Sequence, residues 1–217
     1  MNKSNETEIL EQQIIDQDDP HAIGQLILKY QGRLERVVGF RMDNRLRSRV
    51  DASDILQDAF VEATQRIDDY KACADKMSFF LWLRFITLQK LQQLHRHHLG
   101  VQARDAGRDV AIFEPGRGQA TSMILAAQLM GKMTSPSHAA VREENKRKLE
   151  QALAEMEEID REALALRHFE HLNNSETAQL LGLSESAASN RYIRAVRRLK
   201  SVMERIQNGA SGIFADD

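Results

Sequence analysis

The sequence contains one cysteine, Cys73, so it cannot close an internal disulfide and offers no thiolate cluster for zinc. Three prolines and eleven glycines are few for 217 residues, and helices can run without interruption. Aromatic residues make up only 6%, yet apolar residues reach 42%, which excludes a disordered or fibrous composition. No stretch approaches the roughly 18 apolar residues of a membrane span. The acidic opening "MNKSNETEILEQQIIDQDDP" lacks the apolar centre of a signal peptide. There is no phosphate-binding glycine loop and no nucleophile spaced from a partner base, so an enzyme is not indicated and no cofactor is expected. A reducing cytoplasm is the expected setting, with no membrane partner.

What is present favours helix: Leu, Ala, Gln, Glu and Arg are abundant, and no strand pattern with hairpin signals occurs. The expected fold is all-α, with two small helical domains joined by a long linker. An N-terminal extension covers 1–22, and a first block covers 23–99 with helices at about 23–43, 51–68 and 79–98. The linker, 100–145, gathers glycines and two of the three prolines, although "TSMILAAQLM" within it has the pattern of a short helix. A second block covers 146–207, and the tail 208–217 reads as flexible.

The formal net charge is −2, but its distribution carries more information than its sum. From Arg191 to Lys200 five of ten residues are basic and none is acidic. From Asp51 to Asp69 there are six acids and one arginine. Separated patches of opposite sign suit one face for nucleic acid and another for a protein partner.

The stretch "NNSETAQLLGLSESAASNRYIRAVRRLK", 173–200, reads as a helix-turn-helix. Asn173 caps the first helix and Glu176 completes a capping box. Ala178 suits the close crossing of the two helices, and Gly182 four residues on suits a left-handed stop. Ser184 caps the second helix, with Glu185 at the positive end of its dipole. On that second helix the outward positions are Ser186, Ser189, Asn190, Ile193, Arg194 and Arg197, and Arg191 opens the basic run. Short polar residues can approach base edges, Asn can read adenine, and the arginines can reach phosphates. Tyr192, Val196 and Leu199 are expected to face the core. The alternative to a DNA reader is an ordinary corner between two helices.

"RVDASDILQDAFVEATQRIDDY" is amphipathic, with Leu56, Phe60, Ala63 and Ile67 on one side and Asp54, Gln57, Asp58, Val61 and Gln65 on the other. The polar side is either a solvated face or a docking surface for a basic partner helix. "MSFFLWLRFITLQKLQQLHRHH" is apolar at its start and polar at its end, so Trp82, Leu83 and Ile86 are expected in the core and Gln89, Gln93 and Arg96 outside it. His95, His97 and His98 diverge around one helix with no carboxylate to complete a site, so no metal is expected.

These stretches, in this order, resemble the extracytoplasmic-function sigma factors of the sigma-seventy family. "DASDILQDAF" is similar to that family's D-A-E-D-L-V-Q-E-T-F segment. "FLWLRFITLQKLQQLHR" is similar to the W-L-x-x-I-A-x-N…D…R segment, and residues 146–205 are similar to the C-terminal helix-turn-helix domain. The resemblance implies that 23–99 is region 2, which binds the clamp of bacterial core RNA polymerase through Asp54, Gln57 and Asp58 and helps open the minus-ten element. Gln89 and Gln93 stand where the family carries Asn and Asp, and with Arg96 they are the candidate minus-ten residues. The resemblance also implies that 146–207 is region 4, docked on the polymerase flap. There Ser186, Ser189, Asn190, Arg191, Ile193, Arg194 and Arg197 would meet the minus-thirty-five element of promoter DNA. Ala188 stands where a larger aliphatic is usual. Ser53 replaces an acid, so a kinase could restore negative charge there by phosphorylation, and an anti-sigma factor is a further expected class of partner. The competing expectation is a conventional helix-turn-helix regulator that binds DNA without polymerase.

Overall fold

In the computed structural model, residues 3–17, 19–43, 45–99, 139–212 and six positions between 122 and 129 are described. Among them all regular structure is helical. The chain divides into two compact units, Met1–Val110 and Ala111–Asp217.

The first unit holds α1 (Lys3–Gln17), α2 (Pro20–Arg41), α3 (Ala52–Gln65), α4 (Ile67–Lys71) and α5 (Phe79–Leu99). Helix α2 begins where Asp19 accepts a hydrogen bond from the His21 amide and Pro20 supplies a preset φ at the first helical position. Its buried residues Ile23, Leu26, Tyr30, Leu34, Val37 and Val38 recur at helical spacing, making one continuous apolar stripe. Asp51 caps α3 in the same manner through the Ser53 amide, and α3 buries Ile55, Leu56, Ala59 and Ala63. Helix α5 packs on both α2 and α3. Around its start Tyr30, Tyr70, Phe79, Phe80 and Trp82 form an aromatic cluster, with Tyr70 edge-on to Phe79 at 5.1 Å. Trp82 is 3% exposed and is therefore a core residue.

Two elements of this unit depart from the expected boundaries. Within the 1–22 extension α1 lies along α2, burying Leu10 and Ile14, and Glu11 accepts a hydrogen bond from the Phe79 amide at the start of α5 (3.3 Å). Burial raises the Glu11 carboxyl above its ordinary range against the opposing pull of the Phe79 amide and the Tyr70 hydroxyl. The helix expected at 51–68 is broken at Arg66, whose φ of −110° leaves the α region and turns the chain into α4.

The second unit holds α6 (Ala139–Ala154), α7 (Glu158–Leu164), α8 (Asn174–Leu181) and α9 (Glu185–Gly212). Helix α6 starts before the expected boundary at 146, and α9 runs on to Gly212, past the expected end at 207. Most of the expected linker lies outside the described residues, as does the tail from 213, although 122, 124–126, 128 and 129 are helical within "TSMILAAQLM". The end of α6 is closed by Arg161, which is buried and donates through Nη1 to the carbonyls of Leu153 (2.9 Å) and Ala154 (3.1 Å). A guanidinium suits that position because unpaired carbonyls and the negative end of the helix dipole meet there. Helix α7 continues into a π turn, Ala165–Phe169, closed by a Glu170 amide bond to the Ala165 carbonyl (3.0 Å). His171 then takes a left-handed φ of 57° and redirects the chain into α8.

Candidate nucleic-acid and polymerase interfaces

The α8–α9 corner is built from short-range signals. The Asn173 side chain accepts from the Glu176 amide, and the Glu176 carboxylate accepts from the Asn173 amide, both at 2.8 Å. Ala178 is 4% exposed, at the crossing of α8 with α9. Gly182 adopts φ 64°, and the Leu183 amide reaches back to the Ala178 carbonyl (2.9 Å) in a Schellman-type closure. Ser184 Oγ accepts from the Ala187 amide at the head of α9 (3.2 Å). A further clasp was not read from the sequence: Asn174 Nδ2 donates to the Glu185 carbonyl (2.9 Å), tying the start of α8 to the start of α9. An asparagine immediately after the cap was its only local signal.

On α9, Ser186, Asn190, Ile193, Arg194 and Arg197 are exposed, while Ser189 and Arg191 are half-buried. Ser186, Asn190 and Arg197 share the open side of the helix with Ile193, which is 41% exposed. Val196, expected inside, is 36% exposed. The core stripe runs instead through Ala188, Ala195 and Val202, spaced by seven, and Val196 lies a third of a turn away from it. Tyr192 is half-buried, with the Arg167 guanidinium over its ring at 5.3 Å. Ala188 has no exposure at all, so the small side chain fills its site.

Three arginines of α9 are held by acids of α7 and of the turn before it. Arg194 grips Asp160 with two nitrogens, Nε to Oδ2 at 2.8 Å and Nη2 to Oδ1 at 3.0 Å. Arg191 Nη1 bonds Asp160 Oδ1 at 3.0 Å and also pairs with Glu157. Arg198 pairs with Glu155 at 3.5 Å. Hydrogen bonds to Glu157 and Asp160 raise Arg191 above its ordinary value, and the bond to Asp160 does the same for Arg194, so both stay cationic. Asp160 is 5% exposed and was not among the residues singled out from the sequence. It lies 34 positions before Arg194, too far for any periodicity to link them.

In the first unit, Asp54, Gln57, Asp58, Val61 and Gln65 are all exposed on one face of α3. The other acids of this region are committed internally. Asp51 caps α3, Glu62 pairs with Arg66 and Lys90, Asp69 pairs with Arg66, and Asp68 pairs with Lys71. Burial opposes ionisation of Glu62, but the bonds from Lys90 and Arg66 outweigh it and lower its carboxyl. Asp54 and Asp58 have no ion-pair partner among the described residues. Val61, 60% exposed, adds an apolar contact beside them.

The three candidate minus-ten residues are not equivalent. Gln93 and Arg96 are exposed on α5, whereas Gln89 is half-buried and accepts from Arg66 Nη1 at 3.2 Å. His95 Nε2 accepts from the Asp43 amide (3.3 Å). The described residues contain no group of three metal-binding side chains. None of their helices is long and apolar enough to cross a membrane.

Comparison with known proteins adds to this geometry. Residues 146–199, which contain α7, α8 and the first half of α9, match the family model described as Sigma-70, region 4. The chain is 29% identical over 192 residues to the RNA polymerase sigma factor NccH of Alcaligenes xylosoxydans xylosoxydans, covering 88% of this chain and 91% of that protein. It is 24% identical to the RNA polymerase sigma-H factor of Pseudomonas aeruginosa, covering 91% and 96%. Among solved structures, CnrH in complex with the cytosolic domain of CnrY matches over 92% of this chain and 98% of that chain, at 22% identity and a TM-score of 0.49. The helix-turn-helix and its lead helices thus match sigma-70 region 4, and the chain as a whole is similar over nearly its full length to RNA polymerase sigma factors.

Proposed function

We propose that this chain directs promoter recognition and transcription initiation by docking on bacterial core RNA polymerase through α3 while α9 reads duplex DNA. The observation that carries the reading is the preformed α8–α9 corner, which presents Ser186, Asn190 and Ile193 on one open face, with Ser189 half-buried beside them, within the region 4 match. Asn190 offers a bidentate amide to a base edge in the major groove, and Arg197 offers a cation to the phosphates. Asp54, Gln57 and Asp58 supply the acidic docking face, the one group of α3 carboxylates left unpaired by its own fold. Gln93 and Arg96 are the α5 residues open to the minus-ten strand. Gln89 acts behind them through Arg66. The chain carries no chemistry of its own; the polymerase performs phosphoryl transfer, and the site of action is the cytoplasm.

The test is reconstitution of the purified chain with core polymerase, followed by transcription from a pool of genomic promoters. New, specific start sites are expected. Asn190→Ala with Arg197→Ala should abolish use of a minus-thirty-five element and leave polymerase binding intact. Asp54→Asn with Asp58→Asn should do the reverse, weakening capture of core polymerase at low salt. If either pair impaired both activities equally in folded protein, the division between α3 and α9 would be wrong.

A further inference from the structure

The α9 arginines raise a question that the promoter-reading role does not settle. A DNA reader with its cations committed to carboxylates looks self-defeating, yet the contact geometry says otherwise. Arg194 uses its side edge, Nε and Nη2, to grip Asp160. The end edge, formed by Nη1 and the second proton of Nη2, faces only a looser pairing, Nη2 to Glu157 Oε1 at 3.8 Å, on a side chain that is 54% exposed. That edge is the one which reads guanine O6 and N7 as a fork. Arg191 likewise spends Nη1 on Asp160 and Glu157, which leaves its Nε–Nη2 edge uncommitted among the described residues.

Stability alone is a poor reason for this arrangement. An apolar contact of similar volume would join α7 to α9 as well as a buried ion pair, since desolvation offsets much of the Coulomb gain. The carboxylate does supply a fixed direction. Asp160 sits in the first turn of α7, where the helix dipole favours an anion, and its carboxylate side chain is only 7% exposed. A buried, anchored acceptor that binds two arginines at once removes most of their rotamer freedom before DNA arrives.

We infer that Asp160 is a positioning residue for DNA reading: it holds Arg191 and Arg194 by one edge each and presents their other edges to the minus-thirty-five duplex. The inference rests on the promoter-reading role of α9 and adds a residue that does not itself touch DNA. In the absence of Asp160 the arginines remain cationic and still find phosphates, but they no longer arrive pre-aimed at bases. Specific recognition should therefore fall while non-specific attraction holds or rises, because one negative charge has been removed from the DNA-facing unit.

The experiment uses holoenzyme reconstituted from the full chain and core polymerase. It compares competition binding to a selected promoter with binding to the same fragment carrying single-base changes in the minus-thirty-five element. Asp160→Asn keeps the shape and removes the charge. It should lower discrimination about five- to tenfold, the lower part of the range for a well-placed bidentate contact, without weakening non-specific binding. The decisive comparison repeats Asp160→Asn in an Arg191→Ala, Arg194→Ala background, where it should have no further effect on discrimination. An undiminished effect there would mark Asp160 as merely structural and overturn the inference. A gain in promoter affinity with unchanged discrimination would also overturn it, showing a restraint on the arginines instead. Should wild-type holoenzyme show no minus-thirty-five preference at all, the reading role of α9 would fail first, and that result is distinct from both.

Discussion

At the scale of single residues, the helix-turn-helix depends on one backbone conformation and one small side chain. Gly182 sits at φ 64°, and a Cβ added there would meet nothing within 4 Å. The strain on substitution is therefore purely conformational, and Gly182→Ala should cost roughly 1–2 kcal/mol. A lowered denaturation midpoint for the second unit, followed by hydrogen exchange in α8, checks this; an unchanged midpoint would mean that the left-handed turn is not the conformation held in solution. These residues were legible because a cap, a stop and a small crossing residue act within one or two turns of themselves. Asp160 was not legible. Its acidity looks like ordinary surface charge until α7 and α9 are packed, when it meets Arg191 and Arg194 from 31 and 34 positions away.

At the scale of elements, α1 is the clearest departure from expectation. Its apolar residues are too sparse and its charge too acidic to announce a helix, and its order comes from what it covers. Ile14 has no exposure and Leu10 has 8%, both on the side that faces α2. Ile14→Ala should destabilise the first unit by about 2–5 kcal/mol, the range for a fully buried large-to-small change. Urea unfolding followed by the fluorescence of the buried Trp82 would measure it, and a change near zero would show that α1 does not pack in solution. Helix α3 shows the reverse case. Its amphipathic pattern revealed both faces, but six acids over Asp51 to Asp69 looked alike in the sequence. Packing separated Glu62, Asp68 and Asp69, which Arg66, Lys71 and Lys90 neutralise, from Asp54 and Asp58, which remain open to a partner.

At the scale of the whole molecule, a net charge of −2 sets how the chain meets DNA. Much of the positive charge of α9 is balanced within its own unit by Glu155, Glu157 and Asp160. With Arg191, Arg194 and Arg198 so paired, α9 has less free positive charge to release counterions from a duplex, so the free chain should bind promoter DNA weakly and with a shallow salt dependence. Mobility-shift titrations at several salt concentrations test this. Specific binding is expected with core polymerase present, whereas tight, specific binding by the chain alone would favour a conventional regulator. Coupling to polymerase then supplies through effective concentration what the isolated reader lacks in affinity.

The amino-acid sequence by itself determined the helical class, the α8–α9 corner, the family resemblance and the polar face of α3, because each is written in patterns that repeat or cap within a few residues. Only the tertiary structure decided that α1 is part of the first unit, that Val196 lies outside the core, and that Gln89 is tied to Arg66. It alone joined Asp160 to Arg191 and Arg194. Those outcomes depend on which distant side chains share a few ångströms, and the strength of a buried charge contact is set by that proximity and by the water excluded around it.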